Sequence, residues 1–467
     1  MLIGFDLKQK IKELLRVKKK IPDYFDLGVA FWLLDPDGNQ YVDKTKTIGE
    51  LHGLAAAKLK ENGLEKVFYE IEMPLLRVLA EMEMLGIQAD PAVFHGVDKD
   101  LDKELVKLVK DIYASAGREF NVNSPKQLGE VLFDVLKLKP KRKTKTGGRS
   151  TGAESLEELK NGHPVIPLTL RYRELFKLHS TYVAPLGDLA AAAKDNRIHT
   201  TYLQTGTATG RLSSENPNLQ NIPTGTEYAK RIRGAFVAAP GQSFLSLDYS
   251  QIELRVLAHV SGDPTMTEAF RNDQDIHKIT AANVFNVPVD AVTKEMRAAA
   301  KTLNFGVIYG MGPQAFARAT GKTYEEAVMF IEEYFNDFAE VKVWQDKLIN
   351  KAKQTGYVEN LNGRKRWLPY IASYSPRFAA EARRAAVNMP IQGLAADIIK
   401  LAMIAVKKNL PDIRLLLTIH DELVFEVRTD MIKSAGDRIK KIMESAYKLD
   451  VPLKVDMAVG KNWGEIS

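Results

Sequence analysis

Ser246-Leu247-Asp248-Tyr249-Ser250-Gln251-Ile252-Glu253-Leu254-Arg255 is the stretch from which the fold is read. The apolar run Phe244 to Leu247 predicts a strand that ends on a carboxylate, Asp248. A polar turn follows, and then a helical pattern that carries Glu253 and Arg255. Far downstream, Leu415-Leu416-Leu417-Thr418-Ile419 ends in His420-Asp421-Glu422, and Leu423 to Val427 is strand-like again. That spacing predicts a β-hairpin with Asp421 at its tight turn. Two strand ends that each present an Asp would hold two divalent cations between them. Magnesium favours one or two carboxylates plus substrate phosphates, so a nucleotide would complete the site. An Asp at a strand end is also ordinary turn chemistry, and neither segment decides the matter alone.

The surrounding chain narrows the choice. Its 467 residues suffice for two to four domains, and 45% apolar with 27% charged residues is ordinary for a globular chain. With no cysteine, disulfides and thiolate metal sites are excluded, which points to a reducing, cytoplasmic environment. The N-terminus is expected to carry no signal peptide, because Met1 to Phe5 is too short an apolar run and lysines follow. No stretch approaches the roughly 18 apolar residues of a membrane span, so no membrane partner is expected. A net charge of +7 is compatible with a polyanionic partner.

Residues 1 to about 70 mix short strand and helix patterns. A helical pattern runs from about Glu70 to Glu83, and Asp90-Pro91 predicts a second helix with Asp90 as its N-cap. A third starts at Asn123-Ser124-Pro125 and leads into a basic tract, Lys137 to Arg149, that contains Lys139, Lys141, Arg142, Lys143 and Lys145. Such a run is either a solvated loop or a loop that grips a phosphate backbone. Residues 196 to 236 are rich in loops and small polar side chains. From Leu257 to Arg384 the composition is helical, and a long helix is expected from Glu381 to Asn409 with a break near Pro390.

Three apparent signals fail. Gly321-Lys322-Thr323 lacks the earlier glycine of a phosphate loop, since Phe316 stands there. His420-Asp421-Glu422-Leu423 is internal and so cannot be a retention signal. There is no zinc-type histidine spacing. The helix predicted from Lys294 to Tyr309 is more informative. Arg297, Lys301 and Phe305 are four residues apart and share one face over about 12 Å, a span that suits a nucleoside triphosphate. Gly310 suits a left-handed cap.

From about residue 70 to its C-terminus the chain resembles the polymerase region of bacterial family A DNA polymerases. Asp248 to Arg255 matches the first motif of that family, Arg297-x-x-x-Lys301-x-x-x-Phe305-Gly306-x-x-Tyr309-Gly310 the second, and His420-Asp421-Glu422 the third. Thr209 to Ser214, Asn388 to Gly393, Asp275-Ile276-His277 and Gly460-Lys461-Asn462-Trp463 are further family segments. The resemblance implies an α+β right-hand fold. Its antiparallel palm (196–256 and 385–467) would carry helical fingers (257–384) and a helical thumb (71–195), behind an exonuclease-like remnant (1–70).

The implied reaction is attack of a primer 3′-hydroxyl on a dNTP with release of pyrophosphate. Asp248, Asp421 and the carbonyl of Tyr249 would bind two Mg2+ ions, for which Mn2+ could substitute. Arg297, Lys301 and His277 would hold the triphosphate, with Lys301 as proton donor, and Gln251 would lie against the nucleotide. Phe305 would stack on it, Tyr309 would guard the templating position, and Glu422 would support the primer terminus. Glu253 would exclude a ribose 2′-hydroxyl. Arg211, Asn388, Gln392, Arg384 and His420 would contact DNA, as would Lys141, Arg142 and Lys143. The implied protein is a monomer acting on primer–template DNA and dNTPs.

The N-terminus departs from the family pattern. Gly4 to Lys10 faintly resembles a proofreading exonuclease segment, but Lys10 stands where a metal-binding Asp is expected, and the first carboxylate motif is missing. No 3′→5′ editing is therefore expected. Other readings are a single-subunit RNA polymerase, which Glu253 opposes, a silent primer–template binder, and a metal-dependent nuclease. Clustered carboxylates argue against the binder, and the Arg297–Lys301–Phe305 stripe against the nuclease.

Overall fold

The computed structural model describes residues 1–38, 43, 45–144 and 147–466. Its contacts divide the chain into two compact units. One comprises Met1–Gly86, His199–Gln220 and Gly241–Val459, the other Ile87–Ile198, Asn221–Pro240 and Gly460–Ser467.

The first unit is built around a four-stranded sheet. Its strands are β1 (Gln242–Tyr249), β2 (Arg414–Ile419), β3 (Glu422–Arg428) and β4 (Val455–Gly460), in the order β2-β3-β1-β4. Strands β2 and β3 form the expected hairpin, and His420 at its turn has φ 55°. β3 runs antiparallel to β1 with Glu422 opposite Asp248 and Arg428 opposite Gln242. The backbone N–H of Tyr249 then donates to the Asp421 carbonyl at 3.2 Å. Strand pairing therefore brings the ends of β1 and of the hairpin together, although 173 positions separate Asp248 from Asp421 in the sequence.

Phe244, Leu245 and Leu247 are fully buried, as are Leu423, Val424 and Phe425, so the paired strands form the floor of the core. Packed into the same core are α1 (Ile252–Ser261), α2 (Ile276–Val284), α3 (Lys294–Ile308) and the long α4 (Pro376–Asn409). The sequence reading put a break near Pro390, but α4 passes through that residue uninterrupted. Ala386, Val387, Met389, Pro390 and Ile391 are all buried, and burial on this scale outweighs the hydrogen bond that proline removes. α4 also corrects the expectation about apolar length. An 18-residue window with mean hydropathy 1.5 makes it long and apolar enough to cross a membrane, yet 78% of that window is buried within the protein. The helical region 257–384 contains one exception, a two-stranded ladder of Tyr357–Glu359 with Lys365–Trp367.

At the N-terminus, Leu2–Gly4 pairs in parallel with Tyr24–Asp26, flanked by helices Leu7–Arg16, Leu27–Leu34 and Ile48–Glu61. Lys10 is engaged with Glu13 at 2.7 Å. In the second unit, helix Pro91–Ala116 starts as expected, with Asp90 accepting from the Ala92 N–H at 2.9 Å. It packs with helices Val165–Leu178 and Ala184–Ala192.

Candidate active site

A sharp change of direction places the first functional residues. β1 ends at Tyr249, Gln251 takes the left-handed region at φ 55°, and α1 begins at Ile252. The Tyr249 ring is buried and its hydroxyl donates to the Met443 carbonyl at 2.6 Å, which anchors the strand end. α3 is capped by Thr293, whose hydroxyl accepts from the Met296 N–H at 3.2 Å. It ends where Gly310 takes φ 62°.

These elements enclose one cavity of about 530 Å³, within the range of small-ligand sites. Asp248, Tyr249, Gln251, Glu253, His277, Arg297, Lys301, Phe305, Tyr309, Arg211, His420 and Asp421 all line it. The α3 stripe thus lines the same cavity as the two aspartates. Asp456 of β4 also lines the cavity, and sequence reasoning missed it. An acidic residue in a C-terminal strand was visible in the sequence, but nothing there says that this strand pairs beside β1.

The electrostatics of the site are uneven. Although the Asp248 side chain still reaches solvent, the enclosing walls push its pKa up to about 7, helped by the carboxylates of Asp421, Glu422 and Asp456. Burial likewise raises Asp421. This end of the cavity has oxygen donors in excess and is short of positive charge, which fits hard divalent cations. Arg297 is held by Asp275 at 2.8 Å, while Lys301 has no ion-pair partner among the described residues. Glu253 is buried, accepts from the Tyr309 hydroxyl at 3.0 Å, and pairs with Arg211. Gln392 hydrogen-bonds within the same group.

His277 is 2% exposed, and its Nδ1 accepts from Asn304 Nδ2 at 2.9 Å, which leaves the proton on Nε2. Burial, with Arg297 and Lys301 nearby, lowers its pKa from 6.5 to about 4, so it is a neutral donor at pH 7. Below about pH 6.5 the unfolded chain takes up a proton that the folded chain refuses, so stability falls as pH drops towards 4. His277→Gln removes that loss. In urea titrations, the wild type is expected to lose about 2 kcal/mol more than the variant between pH 7 and pH 4.5.

Other anticipated residues lie elsewhere. Glu422 pairs opposite Asp248 and accepts from the Ser246 hydroxyl, without lining the cavity. Asn388 is partly buried, its Nδ2 without a partner. Arg384 lies against Gly310, where an added Cβ would sit 2.6 Å from its Cγ. Lys141, Arg142 and Lys143 belong to the second unit, where Arg142 is committed to Glu154 and Glu158. Arg149 pairs with Asp134, and Lys145 lies outside the described residues. Also in that unit, Asp98, Asp102 and His179 bring ligand atoms within 4.8 Å of one another, a spacing that could hold a metal ion. His179 already bridges both carboxylates at 2.9 and 3.3 Å.

The sequence profile described as DNA polymerase family A matches residues 92–465. This chain belongs to DNA polymerase family A. Among its relatives, the thermostable DNA polymerase I of Thermus filiformis is 47% identical over 402 residues, covering 85% of this chain and 48% of that protein. DNA polymerase I of Bacillus subtilis is 43% identical over 426 residues, covering 90% of this chain and 48% of that protein. The chain spans about half the length of these curated relatives. A solved structure, the POL domain of Pol1 from M. smegmatis in complex with DNA primer-template and dNTP, superposes with a TM-score of 0.94 at 35% identity. That match covers 99% of this chain and 86% of the solved one, so the chain shares the α+β fold of that polymerase domain. Divalent metal use goes with family A membership.

Proposed function

We propose that this chain is a template-directed DNA polymerase that extends a primer 3′-hydroxyl with dNTPs and releases pyrophosphate. The observation that carries the reading is the convergence of Asp248 and Asp421 with the Arg297–Lys301–Phe305 stripe on one cavity. Residues 71–195 would serve as thumb, 196–256 and 385–467 as palm, and 257–384 as fingers, with 1–70 an exonuclease remnant that does not edit.

Asp248, Asp421 and the Tyr249 carbonyl would hold two Mg2+ ions. Ions held by these residues would supply a lowered pKa for the attacking hydroxyl and charge neutralisation on the triphosphate. Arg297 and Lys301 bind the phosphates, and the unpaired Lys301 ammonium is the group available to protonate departing pyrophosphate. Nε2–H of His277 adds a neutral donor. Gln251, at the β1–α1 turn, closes the wall beside the nucleotide, and Glu253 occupies the space a 2′-hydroxyl would need. Tyr309 covers the templating position, and Glu422 stiffens the strand end beneath the primer. Arg211, Asn388, Gln392, Arg384 and His420 contact the duplex without reading its sequence. Lys141, Arg142 and Lys143 are proposed phosphate contacts.

Phe305 lacks a hydroxyl with which to replace the one missing from a dideoxynucleotide. Phe305→Tyr is expected to raise the dideoxy-to-deoxy incorporation ratio by about tenfold, the worth of one well-made hydrogen bond. An unchanged ratio in a competitive incorporation assay refutes this placement of Phe305.

The experiment that tests the function is primer extension on a primed DNA template with magnesium and dNTPs. Extension is expected. A wild-type protein that binds primer–template without extending it is a binding module instead.

A further inference from the structure

The stretch Tyr370 to Arg384 played no part in the site described above except through Arg384. It displays Tyr370 at 59%, Tyr374 at 105% and Phe378 at 48% exposure. Large aromatic side chains are ordinarily buried, and three in water within nine residues need a reason. The Tyr370 and Phe378 rings already lie together, with centroids 5.5 Å apart and planes 30° from parallel. Tyr374 stands free between two serines in the loop before α4. The same stretch holds three arginines, Arg377, Arg383 and Arg384, against one acid, Glu381. Arg377 and Arg383 are exposed and have no ion-pair partner among the described residues.

We infer that this patch is a stacking platform for single-stranded DNA, in particular the unpaired template strand ahead of the cavity. Exposed aromatic rings interleaved with unpaired arginines are the chemistry that holds unstacked bases and their phosphates. Duplex DNA hides its base faces, so the rings select the single strand. Position supports the same occupant. Arg384 packs on Gly310, next to Tyr309 at the cavity, and Phe378 lies about 9 Å further back along α4. A strand leaving the templating position along this helix meets Arg383 and then the rings. The inference rests on the polymerase reading for its strand, but not for its measurement.

The test uses fluorescence anisotropy with primer–templates whose template 5′ overhang is zero, two, four or eight nucleotides. In the wild type, affinity is expected to rise about tenfold from no overhang to eight, as stacking of one or more bases allows. In Tyr370→Ala/Tyr374→Ala/Phe378→Ala the gain falls below about threefold, while affinity for the blunt duplex is unchanged. Tyr370→Phe/Tyr374→Phe retains the gain, because the rings remain. Arg377→Glu/Arg383→Glu loses it, with a shallower salt dependence. A wild type without an overhang gain, or a triple alanine variant that keeps it, overturns the platform. If the wild type extends primers yet the overhang gain is absent, the platform alone fails. If it gains affinity from overhangs yet never extends, the platform stands and the polymerase reading fails.

Discussion

Asp421→Ala is expected to lower primer extension by at least about a thousandfold, about 4 kcal/mol of lost transition-state stabilisation, while binding to primer–template persists. The argument is geometric and electrostatic. Asp421 is held at its turn by the β2–β3 hairpin, and its carbonyl accepts from the Tyr249 N–H, so its carboxylate shares the cavity with Asp248. Removing it leaves one strand-end carboxylate of the pair and lowers the negative charge that would recruit cations. The contacts proposed for DNA come from other residues, so binding does not depend on it. Single-turnover extension and anisotropy titration on the same preparations check both halves. A variant that extends within tenfold of wild type shows that Asp421 is not part of the reaction centre.

Glu72→Ala is expected to destabilise the protein by about 3–5 kcal/mol. Glu72, Arg364, Asp397 and Lys400 form an ion cluster with side chains no more than 2% exposed. Lys400 Nζ reaches Glu72 at 2.6 Å, and Arg364 Nη2 reaches Asp397 at 2.6 Å while also pairing with Glu72. Asn360 adds a bond to Asp397 at 2.7 Å, and the Trp32 ring lies 5.3 Å from the guanidinium. Two buried cations face two buried carboxylates, so losing one anion strands a positive charge where water cannot reach it. Burial pushes the Glu72 pKa up, but Lys400 and Arg364 outweigh it and hold it below the ordinary range. The sign follows: this stabilisation is complete at neutral pH and fades only below the usual carboxylate range. Urea denaturation at pH 7.5 measures the effect, and a loss under 1 kcal/mol contradicts it. The same cluster constrains the neighbouring loop, since a Cβ on Gly210, at φ 89°, would meet the Arg364 guanidinium at 2.8 Å.

Sequence and structure agree best where the pattern is local. The β1 run, the β2–β3 hairpin around Asp421 and the four-residue spacing of Arg297, Lys301 and Phe305 follow from side-chain alternation and helical pitch, and each element formed as read. Pro390 shows the limit of local rules, because a proline reads as a helix break until the burial of its neighbours is known.

The sequence by itself determined which residues could do chemistry and on which faces of their own elements they lie. It did not determine which of those faces meet. The pairing of β3 with β1 put Asp421 beside Asp248, and the sheet order put Asp456 on the other side of β1, near Asp248. His277 had its pKa lowered to about 4 through burial beside Asn304, and Arg142 gained its carboxylate partners only through folding. Only the tertiary structure decided these, because strand pairing and desolvation depend on groups distant in the chain, whereas periodicity depends on neighbours a few residues away.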